Sequence, residues 1–189
     1  AEVGRRDPAL FANARVQRAM SLARQEDDDG ALADLQLAAE ARPNDKAAVQ
    51  MLANQLTAME RYEEALALLS GPRLDTADQD FQTRFMRGAV YESLERHEEA
   101  EAELWAALQM RPDDAMALNY LGYMWVDRGD RIDQGAEMIA RALASDPENG
   151  HYRDSLGWAQ YRQGRFDEAV ATLEGAVDKE PANAEINDH

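Results

Sequence analysis

The feature that most constrains this chain is a turn that returns every 34 or 35 residues. Arg42-Pro43-Asn44-Asp45, Arg111-Pro112-Asp113-Asp114, Asp146-Pro147-Glu148-Asn149 and Glu180-Pro181-Ala182-Asn183 share one shape. Their prolines lie 69, 35 and 34 residues apart, the first interval being two periods. Small residues keep the same register. Twelve positions before each proline stand Ala31, Ala100, Gly135 and Ala169, and five before it Ala38, Ala107, Ala142 and Ala176. A third column, 24 before the proline, holds Ala19, Gly88 and Gly157, with Gly122 one residue out of step. The turn missing between Pro43 and Pro112 leaves its other marks: Ala53 and Ala65 fill two small columns, and Tyr62-Glu63-Glu64-Ala65 parallels His97-Glu98-Glu99-Ala100 and Phe166-Asp167-Glu168-Ala169. The repeats therefore run 12–45, 46–80, 81–114, 115–149 and 150–183, an array over residues 1–183, with 184–189 as the truncated start of a sixth. A fixed period of this length means that each unit buries its apolar face only against its neighbours.

Each unit reads as two helices. Leu156, Ala159 and Tyr161, then Val170, Leu173, Ala176 and Val177, recur at helical spacing around the turn Arg162-Gln163-Gly164-Arg165. Two antiparallel helices joined so tightly cross closely, and their contact positions hold Ala or Gly but not Leu. Proline then stops the second helix. Two units depart from the pattern. Gly71-Pro72 predicts a short second helix in repeat 2, followed by an irregular connection through residues 75–80. One extra residue around Asp130-Arg131-Ile132-Asp133 predicts a longer turn in repeat 4.

The three small columns, the aromatic column and the proline turn resemble the tetratricopeptide repeat, over 172 of the 189 residues. The resemblance implies an all-α fold, a right-handed superhelix of tandem helix-turn-helix units with an extended concave face. Such a face is the usual binding surface of repeat arrays.

Composition removes other functions. The chain has 37 acidic and 20 basic residues, a formal net charge of −17. A surface that collects nucleic acid or anionic lipid needs clustered Lys and Arg, so an RNA-binding helical repeat conflicts with this balance. With no Cys and only His97, His151 and His189 as imidazoles, no thiol nucleophile and no zinc site is expected. No Gly-rich phosphate loop, Gly-x-Ser-x-Gly or His-Glu-x-x-His occurs. The acidic clusters 26–29 and 98–103 fall in turns and on solvent faces, where carboxylates lack the desolvation that splits a catalytic pair. His97, in the column of Tyr62 and Phe166, reads as a packing residue. The reading is a non-catalytic chain without metal or cofactor. No apolar run is long enough to span a bilayer. The opening Ala-Glu-Val-Gly-Arg-Arg, without Met, reads as a processed or excised segment.

The resemblance implies that the second, fifth, ninth, twelfth and thirteenth residues of each first helix line the concave face, one stripe of a helix. On this sequence the stripe includes Met20, Gln50, Asn54 and Phe85, then Asn119, Tyr123 and Asp127, then Asp154, Trp158, Tyr161 and Arg162. Its aromatic members, Phe85, Tyr123, Trp158 and Tyr161, are of the kind that protein-binding hot spots favour. Asn119 and Asp154 are placed to hydrogen-bond the backbone of a bound segment. Trp125 and Trp105 are assigned to packing between repeats.

Some tetratricopeptide domains clamp the terminal carboxylate of chaperones with Lys, Arg and Asn at fixed positions. Repeats 1 to 3 offer Val16, Met20, Met51, Gln82 and Met86 there, and repeats 3 to 5 offer Phe85, Ala89, Tyr120, His151 and Ser155. Without the cations there is no clamp. A narrower resemblance lies in Leu118-Asn119-Tyr120-Leu121-Gly122-Tyr123, Asp154-Ser155-Leu156-Gly157-Trp158 and Asn187-Asp188-His189. These are similar to a proteobacterial group that includes outer-membrane lipoproteins and protease adaptors. That implies a bacterial envelope setting, periplasmic or outer-membrane-anchored, with cytoplasm as the alternative, and a protease or an envelope protein as partner. The expected function is an interaction scaffold that binds a protein segment, extended or helical, in the concave groove. The alternative is a structural module that self-associates or connects domains.

Overall fold

The computed structural model describes residues 7–74 and 80–179. Over these residues the chain forms ten helices and no strand: α1 (Pro8–Ala23), α2 (Asp28–Ala41), α3 (Lys46–Ala58), α4 (Tyr62–Leu69), α5 (Phe81–Ser93), α6 (His97–Met110), α7 (Ala115–Arg128), α8 (Ile132–Ser145), α9 (Gly150–Arg162) and α10 (Phe166–Lys179). They pair in sequence order as the period requires. Two compact units, residues 1–103 and 104–189, divide the chain within α6. The last proline turn and the opening of a sixth repeat at 184–189 lie outside the described residues, as do residues 75–79.

Every first helix begins on an Asx cap. The side chains of Asp7, Asp45, Asp80, Asp114 and Asn149 accept hydrogen bonds from Leu10, Ala47, Thr83, Ala117 and Tyr152 backbone N–H groups, satisfying donors that the first turn leaves free. Every first helix also ends alike, with a residue at positive φ: Glu26, Glu60, Glu95, Gly129 and Gly164, at 57° to 79°. In four of the five turns the next N–H reaches back to close a Schellman bond, as from Arg96 to the Tyr91 carbonyl at 2.9 Å. Only two of these left-handed positions hold glycine.

The small columns lie where the two helices of a pair touch. Ala31, Ala53, Ala65, Ala100, Ala107 and Ala142 have no exposed surface. In repeat 4 the crossing is backbone to backbone. A methyl on Gly135 would stand 2.5 Å from the Gly122 carbonyl oxygen, and one on Gly122 would stand 2.7 Å from that of Gly135. The turn of this repeat is not longer, contrary to expectation. It spans 129–131, three residues like 59–61, and the extra residue instead extends α7 by one position before Gly129 stops it. The second helix of repeat 2 is short, eight residues, as Gly71-Pro72 predicts.

Between the small columns, the helix pairs are held in two chemically different ways. In repeat 2, Val49 and Leu52 are buried and Leu68 packs against the core they belong to; in repeat 4, Leu118, Leu121 and Met138 are buried at the same register. Repeats 1 and 3 place ions there. Arg15 donates to Asp34 at 2.6 Å and Arg18 lies 3.4 Å from its other oxygen. Arg84 and Arg87 reach Glu103 at 3.1 and 2.7 Å. Asp34 and Arg87 are buried. Such an ion cluster adds little net stability over an apolar filling, but losing one member strands a charge. Trp125 is buried with the Arg131 guanidinium 4.1 Å over its ring. Trp105 meets Trp125 at 6.3 Å between ring centroids yet keeps half its surface in solvent.

A second ion motif is local. Arg61 with Glu64, Arg96 with Glu99, and Arg165 with Glu168 bridge the first turn of α4, α6 and α10. The Arg61 hydrogen bond holds the Glu64 carboxyl below its ordinary value, and Arg96 does the same for Glu99.

Three outcomes follow from this packing. Replacing Glu95 by Gly removes a left-handed glutamate and raises stability by about 0.5–1 kcal/mol in urea unfolding, whereas Gly135→Ala lowers it by about 1–3 kcal/mol through the backbone clash. Because folding depresses the Glu64 and Glu99 carboxyls, Arg61→Ala with Arg96→Ala lowers the melting temperature at neutral pH. That deficit closes as acid protonates the two carboxylates. A melting difference that does not shrink in acid would rule this origin out.

Candidate functional site

The expected groove residues fall into separate groups in the two units. In residues 104–189, α7 and α9 are neighbours. Tyr123 on α7 and Trp158 on α9 are both half-buried against a core of Val126, Ala136, Ile139 and Ala159. Trp158 stacks on Tyr161 with ring centroids 5.4 Å apart and planes 16° from parallel. Tyr161, half exposed, meets Phe166 edge to face at 5.5 Å. Arg162 fixes the arrangement from below. Its guanidinium lies 5.5 Å from the Trp158 centroid, and its Nη1 donates to the Asp127 carbonyl oxygen at 2.6 Å. That carbonyl belongs to the last turn of α7, where a cation is favoured by the helix dipole. Arg162 therefore acts as a clasp between α7 and α9.

Asn119 and Asp154 each sit one helical turn before an aromatic of this group, Asn119 before Tyr123 and Asp154 before Trp158. Asp154 is buried. The Asn119 side-chain oxygen is buried and no donor reaches it. A buried acceptor left this way costs desolvation energy that an incoming N–H recovers.

In residues 1–103 the stripe is less aromatic and more used up. Met20 and Asn54 come together at a recess of about 300 Å³ lined also by Ala23, Leu35, Met51 and Ala58. Gln50 is spent on structure: its amide nitrogen donates to Asp80 at 3.1 Å and to the Thr83 hydroxyl at 3.0 Å. Phe85 is buried, stacked on Phe81 at 6.1 Å. Neither presents itself to a ligand. Glu92, also on the stripe, meets His97 Nδ1 at 3.0 Å, so His97 has a polar contact besides its packing. Sequence reasoning missed Met51 as a wall of the recess and Phe166 as a surface feature. Phe166 shares its column with Tyr62, which is partly buried in the 1–103 core, and nothing in the residue type marks it as exposed.

Among the described residues no group of three His, Asp or Glu side chains is placed to hold a metal, and no helix is long and apolar enough to cross a membrane.

The family model for the tetratricopeptide repeat matches residues 85–131 and 126–184, together more than half the chain. The chain belongs to the tetratricopeptide repeat family. Proteins of this family serve as protein–protein interaction scaffolds and are generally not catalysts. A TPR repeat-containing protein of Pseudomonas aeruginosa is 33% identical over 103 residues, which span 54% of this chain but only 18% of that protein. Among solved structures, MamA of Desulfovibrio magneticus RS-1 superposes with a TM-score of 0.71 over 92% of this chain and 97% of its own, at 22% identity. YrrB, described as a TPR protein with an unusual peptide-binding site, does so with a TM-score of 0.64 over 92% and 89%, at 21% identity. These likenesses establish the fold.

Proposed function

We propose that this chain is a non-catalytic adaptor whose five helix pairs, 12–183, act as one array, and that a protein segment binds along the α7–α9 stripe. The observation that carries this reading is the Asn119 side-chain oxygen, buried without a donor, beside the stacked Trp158–Tyr161 pair. A segment laid over these residues places an apolar side chain on the ring faces and a backbone N–H on Asn119. Aromatic rings with fixed rotamers give such contacts at low entropic cost. Arg162 holds the rings in place by clasping α7, so little ordering remains to be paid on binding. Within residues 1–103, the Met20–Asn54 recess is a separate place for an apolar side chain. The peptide-binding site ascribed to YrrB supports a peptide as the class of ligand.

The test is a peptide selected from a random phage-displayed library on the whole chain, then synthesised and titrated in solution. Trp158→Ala combined with Tyr161→Ala weakens it at least tenfold, about 1.4 kcal/mol, with unchanged helical circular dichroism. Asn119→Leu weakens it as well. Unchanged affinity in the double variant rejects the groove.

A further inference from the structure

The start of α9 differs chemically from the other first-helix starts. Asp7, Asp45, Asp80 and Asp114 cap their helices with a carboxylate, and the residue after each carries a side chain: Pro8, Lys46, Phe81 and Ala115. α9 is capped by the neutral amide of Asn149, and its first residue is Gly150. The carboxylate caps accept from the backbone at 2.9 to 3.1 Å, the Asn149 amide oxygen from Tyr152 N–H at 3.2 Å. Its Nδ2 donates to the Asp146 carboxylate only at 3.4 Å. A charged acceptor holds a helix N-terminus more firmly than a neutral one, so this cap is the most easily released of the five.

Asn149 is also the one asparagine of seven that glycine follows. A backbone nitrogen that reaches the side-chain carbonyl carbon of the residue before it closes a succinimide ring, and a side chain on the attacking residue hinders that approach. Glycine has none, and its backbone turns more freely than any other. With Asn149 at φ −76° and ψ 110° its oxygen faces Tyr152 N–H. Ring closure turns Cγ toward the Gly150 nitrogen and so takes the amide out of the cap. Asp29-Gly30 is the nearest counterpart. It lies in the first turn of α2, where Asp27 accepts from Gly30 N–H at 3.0 Å, and it has a carboxylate in place of the reactive amide.

We propose that Asn149–Gly150 is a site of spontaneous covalent modification, in which a succinimide forms and opens to an isoaspartyl link that unfastens the start of α9. The Gly150 nitrogen loses its proton to solvent and bonds to Asn149 Cγ. The Cγ–Nδ2 bond breaks, and that nitrogen takes up a proton from solvent and departs as ammonia. Water then opens the ring on either side. Breaking the new bond at Cγ restores the main chain and leaves aspartate at 149. Breaking the original peptide bond, at the Asn149 carbonyl carbon, leaves the main chain running through Cγ as the isoaspartyl form. Either opening uses one water and adds one carboxylate, with no oxidant or reductant. The aspartyl product has the cap that the other four first helices use. The isoaspartyl product lengthens the main chain by one carbon and puts its carboxylate on a shorter arm, out of register with Tyr152 N–H. α9 also carries Asp154, Trp158, Tyr161 and Arg162, but the reaction needs only the cap and is independent of the groove reading.

The experiment holds the full chain in mildly alkaline buffer at physiological temperature and follows each asparagine by peptide mapping, with fragmentation that separates aspartyl from isoaspartyl links. Deamidation at Asn149 runs at least tenfold faster than at Asn13, Asn44, Asn54 and Asn119, the other asparagines among the described residues. It rises with pH, because the Gly150 nitrogen must lose its proton. Gly150→Ala, or Gly150→Ser should the methyl disturb the fold, slows it at least tenfold. Loss at Asn149 no faster than at the other four overturns the proposal, as does loss unchanged in the Gly150 variant or a product that is aspartyl alone. The reacted chain, separated by ion exchange on its added charge, is then compared with Asn149→Asp. The reacted chain melts lower and exchanges the Tyr152 and Arg153 amide protons at least tenfold faster, while Asn149→Asp melts no lower than the parent. A reacted chain that carries the isoaspartyl link yet melts and exchanges like Asn149→Asp overturns the proposal.

Discussion

The two helices of each pair approach until only a methyl, or nothing, fits between them, and the rest of the fold depends on that approach. At Gly122 and Gly135 the carbonyl of one helix stands where the other would carry its first side-chain carbon. Leucine at either position would drive the helices apart and unseat the apolar residues above and below. Because the contact is local, each pair sets its own geometry and needs neighbours only to cover its outer faces. One architecture can thus hold a leucine filling in one pair and an arginine–carboxylate filling in the next. The small columns carry the crossing, and the remaining positions adapt.

The same constraint decides which stripe residues remain open to a partner. In α3, α5 and α9 one flank lies on the helix's own pair and one on the preceding pair, and a narrow strip is left over. Where the strip meets the start of α5, its residues are consumed. Gln50 is tied to Asp80 and Thr83, and Phe85 is stacked beneath Phe81. In α9 the strip stays available because Arg162 is the residue that reaches across to α7, leaving the rings of Trp158 and Tyr161 side by side.

The helix pairs and their small columns were legible in the sequence, because each rests on a steric rule that leaves few alternatives. The short α4 was legible for the same reason, since Gly71-Pro72 cannot continue a helix. Exposure was harder to read. Phe85 and Tyr161 both belong to the stripe, yet Phe85 is core, stacked on Phe81 of its own helix, and Tyr161 is half exposed. The extra residue of repeat 4 went into α7 rather than the turn, because extending a helix adds a hydrogen bond and lengthening a loop adds none. The ion clusters at Asp34 and Glu103 escaped notice because residues far apart in sequence supply them. Their arginines read singly as surface residues.

The left-handed residue that ends each first helix is glutamate at positions 26, 60 and 95 and glycine at 129 and 164. The first unit therefore holds three side chains in the left-handed region, and the second holds one, Arg131 at 41°, in the turn that Gly129 opens. A side chain in that conformation brings a helical turn closer to local opening by about 1–2 kcal/mol. Amide exchange and proteolytic nicking will accordingly be spread over three turns in residues 1–103 and centre on the 129–131 turn in residues 104–189, away from the Trp158–Tyr161 pair.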